Sequence, residues 1–323
     1  MNLGLSLLSV AGGLTGLWFA GDCVISTAKN LATRYRLTTA FVGFVLLALA
    51  ANIPELAVAI MAALHGAGQV SAGDIIGANF SDVALVIGFT LAFARPITLR
   101  PDETRELLRT LIIASCIMIA VLVVGELAPL HGYCLLLCYL VFVVWSWLDQ
   151  DRQAEDKAAD DYAATHSLLG SCKLWGSFLG SIGLVLGSSA IVVQGALGIT
   201  VACGMKLELV GATILALGTT LPEITIGINA LRRHEYALAL GPTLGTIIAQ
   251  ATLALGSLAV LSPAPINLRS LGDSACFMFM AFVLLTCALL SNRMGRTTGF
   301  ALLSLFGCYI GYHLGMHFNF ITG

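Results

Sequence analysis

Charge is scarce in this chain: only 11% of its 323 residues are Asp, Glu, Lys or Arg, against about 25% in a soluble globular domain. Too little polar surface exists to wet a ball of this size, so a soluble fold is excluded. Also missing is any paired or metal-like cysteine framework, because the nine cysteines are scattered and several lie deep in apolar runs. Cys134 and Cys138, four apart, read as small helix-packing residues. The first apolar stretch has no basic segment before it and carries Asp22, which argues for a retained span rather than a signal peptide. No cofactor motif, nucleic-acid surface or obligate protein partner is expected.

What is present is apolar length. Hydrophobic residues make up 58% of the chain and mean hydropathy is +0.92, so the surrounding solvent is a lipid bilayer. About 20 apolar residues cross one, and such stretches fall near 4–26, 38–64, 71–93, 107–127, 130–148, 174–200, 208–231, 237–260, 272–291 and 297–317. The runs are continuous rather than alternating, which predicts helices and not barrel strands. If the N-terminus is outside, 14 of the 16 basic residues fall in the inner connections, and Lys206 and Arg269 are the two exceptions. That sorting is the positive-inside pattern, and it predicts ten spans with both termini outside.

The longest polar stretch, 149–173, divides the spans five and five. Shifting the chain by 168 residues aligns "LALAANIPELAVAI" (47–60) with "LALGTTLPEITIGI" (215–228), and "GDIIGANFSDVALVIG" (73–88) with "GPTLGTIIAQATLALG" (241–256). Between 42 and 88 there are 13 identities to the second copy, about three times what a biased apolar composition gives by chance. Five spans separate the copies, an odd number, so they must lie inverted in the bilayer. Inverted repeats with interrupted helices are typical of secondary transporters, whose sites sit where the repeats meet.

Within the repeats the residues are costly ones. Pro54 and Pro222 lack an amide hydrogen and are expected to free a carbonyl in mid-span. Glu55 and Glu223 follow them directly, and an unpartnered acid costs at least about 2.5 kcal/mol at the bilayer centre. Two carboxylates beside loosened backbone form an oxygen-rich setting of the kind Na⁺ or Ca²⁺ needs. Asp74 is expected to cap the outer end of the third helix. His313 and His317, four apart, read as interface residues.

The segments "ANIPEL", "GTTLPEI", "GANFSDVALVIG" and "GTIIAQATLALG" resemble the paired α-repeats of the cation/calcium exchanger superfamily, typically written GTSLPE and GSNIFNILLVLG. The resemblance implies an all-α membrane fold of two inverted five-helix repeats, 1–148 and 174–323, joined by a cytoplasmic linker at 149–173. The α-repeats would occupy about 42–93 and 210–261. It further implies four central side chains, Glu55 and Asp82 from the first repeat and Glu223 and Gln250 from the second, with Asn52, Thr219, Thr220 and Thr246 as additional oxygen ligands. Acid and amide look exchanged between the repeats, since the family usually carries the amide in the first. The family's hydroxyls are replaced in the first repeat by Ala51 and Ala78.

The implied activity is antiport of Ca²⁺ or a related divalent cation for Na⁺ by alternating access, in a prokaryotic inner membrane, with inorganic cations and the lipid bilayer as the only partners. Loss of two hydroxyls keeps H⁺ open as the coupling ion. An intramembrane aspartyl protease would need a GxGD-type element and a Tyr-Asp pair inside spans, and neither is there. A channel would not need a duplicated, inverted break.

Overall fold

The structure, a computed structural model, describes residues 2–34, 52–93, 99, 101–151, 168–221, 223–224, 237–291 and 293–322. Ala51, Pro222 and the start of the expected second span lie outside the described residues. The helices follow the apolar map. They are α1 (Leu3–Arg34), α2 (Ile53–Leu64), α3 (Gly68–Phe93), α4 (Pro101–Val124), α5 (Pro129–Asp151), α6 (Leu168–Cys203), α7 (Leu207–Thr219), α8 (Ala237–Ala249 continuing through Gln250–Ala254 to Leu255–Leu261), α9 (Gly272–Leu290) and α10 (Arg296–Thr322). Helices α5 and α6 reach into the expected linker from both ends, leaving 152–167 outside the described residues.

Turns between helices use glycine where the backbone needs it. Gly66 (φ 67°) and Gly204 (φ 65°) close α2 and α6 in the left-handed region, where a side chain is strained. On another rim a two-residue antiparallel ladder pairs Glu126 with Asn267 and Leu127 with Ile266. Leu268 N donates to Gly125 O at 2.9 Å beside it, and the Gln69 side-chain amide donates to Asn267 O. This clasp ties the α4–α5 turn to the α8–α9 turn and to the start of α3.

Burial separates the helices by role. In α3, 89% of the most apolar window is buried, against 28% in α1 and in α4. Helix α3 is therefore enclosed by protein, while α1 and α4 face lipid. One apolar cluster joins α3, α4, α8, α9 and α10; a second joins α1, α2, α6 and α7.

Small residues set the close crossings, as they do in bilayers where apolar burial alone gives no drive to associate. A Cβ on Gly211 would stand 1.9 Å from Val70 O, and one on Gly77 would stand 2.4 Å from Ala212 O. Helices α3 and α7 thus touch backbone to backbone. Crossings also recur at matched places. Gly88 faces Gly299 O, and Gly256, 168 residues on from Gly88, faces Gly132 O. Gly13 faces Val192, while Gly195 faces Val10, a reciprocal contact along the antiparallel α1–α6 pair.

Candidate functional site

Each half breaks at its PE motif, but differently from expectation. Helix α2 begins at Ile53, with Asn52 (φ −92°, ψ 4°) before it and Pro54 in the first turn. A proline there loses no helical hydrogen bond, since first-turn amides have no intrahelical acceptor. So Pro54 starts a half-helix instead of freeing a carbonyl in mid-helix. In the other half α7 ends at Thr219, with Thr220 (φ −76°, ψ −6°) as its cap. The bond Leu56 N to Asn52 O (2.9 Å) is matched by Ile224 N to Thr220 O (3.1 Å), again 168 residues apart. Glu55 and Glu223 therefore stand in equivalent turns, both buried. A carboxylate in a first turn is favoured by the positive helix end.

The second pair sits where two helices widen. A π turn begins at Asp82 in α3 (Asp82–Ile87) and at Gln250 in α8 (Gln250–Ala254). Such turns carry one extra residue per turn, loosen the local hydrogen-bond ladder and gather at functional sites. They bring the exchanged acid and amide together: Gln250 Nε2 donates to Asp82 Oδ2 at 3.3 Å, and Thr246 Oγ1 donates to the same oxygen at 3.4 Å. All three residues are buried. Two acids at these positions would repel, whereas an amide donor holds the carboxylate in place.

The sequence reading missed Asp74. It is not a cap, because α3 begins at Gly68 and Asp74 lies nearly two turns inside, fully buried. Its Oδ1 accepts the Thr219 hydroxyl at 3.1 Å. The only hint in the sequence was that Asp74, Ala78 and Asp82 are spaced by four, one helical face. Thr219 and Thr220 also bond backward to their own helix, Thr219 to Leu215 O and Ala216 O at 3.3 Å each, and Thr220 to Ala216 O at 2.6 Å.

Polar satisfaction at the centre is incomplete among the described residues. Both Glu55 carboxylate oxygens, Asp74 Oδ2, Asp82 Oδ1, Glu223 Oε2 and Gln250 Oε1 are buried without a hydrogen-bond partner there. When ionised, Glu55 is repelled by Glu223 first and then by Asp74 and Asp82. Repulsion of this kind is strong in a low-dielectric interior, and a bound cation cancels it. Among the described residues no three Asp, Glu, His or Cys side chains converge closely enough to grip one metal ion as they stand. A divalent ion therefore has to draw the acids inward.

Other candidates fall away from this centre. Asp22 is on an exposed face of α1, and Cys134 and Cys138 are free and exposed on α5. His313 contacts Ser274 Oγ at 3.3 Å and packs edge-on to Tyr309, as an interface residue does.

The family described as "Sodium/calcium exchanger protein" matches residues 5–148 and 173–315. The chain belongs to this family. It is a multi-pass membrane protein and a cation exchanger, not an enzyme. The putative antiporter CaxA of Alkalimonas amylolytica is 27% identical over 305 residues, covering 93% of this chain and 95% of that protein. The sodium/calcium exchanger MaX1 of Methanosarcina acetivorans is 22% identical, over 80% of this chain and 84% of its own. Among solved structures, the sodium-calcium exchanger NCX_Mj soaked with Na⁺ and Sr²⁺ superposes with a TM-score of 0.62 at 21% identity, over 96% of this chain and 99% of that one. That likeness concerns the fold.

Proposed function

We propose that this exchanger moves Ca²⁺, or a related divalent cation, against Na⁺ by alternating access across a prokaryotic plasma membrane. Glu55, Glu223 and Asp82 bind one divalent ion or its counter-ions, never both. Asn52, Thr219, Thr220, Thr246 and Gln250 supply neutral oxygens around them. The observation that carries the reading is the matched pair of broken helices, each with a buried glutamate in its first turn and met by the Asp82–Gln250 pair. Left without cations, this centre holds several negative charges in low dielectric and resists crossing, which enforces exchange over leak. The name of MaX1 and the family's description support Na⁺ and Ca²⁺ as the ion pair.

The layout we propose is ten spans in two inverted five-helix repeats, 1–148 and 174–323, linked at 149–173, with both termini outside. The reciprocal Gly13–Val192 and Gly195–Val10 contacts and the π turns 168 residues apart support it. No resident cofactor or obligate protein partner belongs to this reading. Proton coupling is the second reading, favoured by Ala51 and by Ala78, which lines the buried face between Asp74 and Asp82 without an oxygen.

The test is radiolabelled Ca²⁺ uptake into proteoliposomes driven by an outward Na⁺ gradient or an outward H⁺ gradient, with Glu223→Gln alongside. Uptake on Na⁺ that the variant loses supports Na⁺/Ca²⁺ exchange. Uptake on H⁺ alone moves the protein to proton coupling, and none under either removes Ca²⁺ as substrate.

A further inference from the structure

Asp74 is the buried acid that the exchange reading leaves unused. One of its oxygens is held by Thr219 and the other has no partner among the described residues. No basic side chain pairs with it there. A buried carboxylate in this condition is expensive unless something positive joins it.

Its place along α3 decides what that can be. Asp74, Ala78 and Asp82 share one face at intervals of four, so Asp74 and Asp82 lie about 12 Å apart along the helix at 1.5 Å per residue. Oxygens on one Ca²⁺ lie roughly 2.3–2.6 Å from it, and the short Asp side chains cannot close that gap. Asp74 therefore serves a different ion from Asp82.

The repeat shows what Asp74 replaces. Thr219 stands where the first repeat has Ala51, and the position matching Asp74 in the second repeat is Pro242. Asp74 binds the surviving member of a hydroxyl pair whose other member is lost, one turn away from Ala78, where a second hydroxyl is lost. The frame around it is rigid. A Cβ on Gly73 would meet Glu208 O at 2.2 Å, and one on Gly211 would meet Asp74 N at 2.8 Å, so α3 and α7 cannot slide at this level without losing contact.

We propose that Asp74 and Thr219 form a separate position for one monovalent cation, Na⁺, beside the divalent site. The inference rests on the Na⁺/Ca²⁺ reading and assigns it an ion position present on one side only. A single carboxylate with a hydroxyl and the carbonyls at the end of α7 balances one positive charge, and a divalent ion there would be left half-neutralised. Because Glu55 feels the charge of Asp74, Na⁺ at this position weakens the hold of Glu55 on Ca²⁺. Binding in one place thereby promotes release in the other.

Asp74→Asn and Asp74→Glu, reconstituted beside the wild type, test this through two fluxes. Exchange of labelled for unlabelled Ca²⁺ without Na⁺ needs only the divalent site and an intact fold. Uptake driven by Na⁺ needs the Asp74 position as well. For Asp74→Asn the expected result is self-exchange within about twofold of wild type, Na⁺-driven uptake down roughly tenfold or more, and a Na⁺ Hill coefficient lower by about one. Asp74→Glu should recover part of the Na⁺-driven flux, and Na⁺ should raise the Tm of wild type more than that of Asp74→Asn. Loss of both fluxes in Asp74→Asn, or no change in either, overturns the proposal while the exchange reading stands. A wild type that self-exchanges Ca²⁺ but ignores Na⁺ overturns the proposal and Na⁺ coupling together.

Discussion

Across the centre of the molecule, the first half contributes acceptors and the second half contributes donors. Thr219 and Thr246 give their hydroxyls, and Gln250 its amide, to Asp74 and Asp82. The first half carries Glu55, Asp74 and Asp82 with alanines where hydroxyls once matched; the second carries Glu223 with threonines and an amide. Duplicated halves that had stayed alike would set acid against acid at the crossing of α3 and α8. Divergence has turned a repulsive self-contact into a complementary one, so equivalence of position need not mean equivalence of work.

The largest effect is expected where the halves remain alike. Glu55→Gln and Glu223→Gln should each lower Ca²⁺ transport at least a hundredfold, about 2.7 kcal/mol, in proteoliposome uptake. A tenfold gap between the two would break the equivalence of the two first turns. Next come the packing glycines. Gly299→Ala places a Cβ 2.2 Å from Ala92 N, while its counterpart Gly132→Ala meets Gly256 O at 2.7 Å. Overpacking of this sort costs about 1–3 kcal/mol, and thermal unfolding in detergent should rank Gly299→Ala as the more damaging.

These contacts also mark how far sequence could reach. Span positions, the 168-residue offset and the Glu55–Glu223 match follow from hydropathy and identity, which need no coordinates. The π turns at Asp82 and Gln250 do not, because one extra residue in a turn leaves the apolar pattern almost unchanged. Asp74 was misplaced at a helix end because small residues around it, Ser71 to Gly77, resemble a boundary. In fact they let α7 approach. The role of Pro54 at a half-helix start was hidden because an apolar run reads as unbroken even where the backbone is not.

A middle-sized effect sharpens the donor–acceptor contrast. Asp82→Asn should weaken apparent Ca²⁺ affinity about tenfold to a hundredfold, and adding Gln250→Asp should recover most of it if the number of acids matters more than which half holds them. Competition of Ca²⁺ against labelled Ca²⁺ binding would measure both. The smallest change expected is from Ala78→Ser, which returns one hydroxyl to the poorer half. Na⁺ should then half-activate uptake at a concentration lower by about twofold to threefold, and a rise would show that the buried face between Asp74 and Asp82 does not meet Na⁺.

The reciprocal sockets of α1 and α6, Gly13 receiving Val192 and Gly195 receiving Val10, are the contact a symmetric homodimer makes with itself. A half-length polypeptide inserted in both orientations would meet its own copy through that same surface. The outer pair has kept an ancestral handshake between identical subunits, while the centre has specialised beyond it. Gene fusion would then have cost the ancestor little at this interface, and it freed the two central sites to evolve apart.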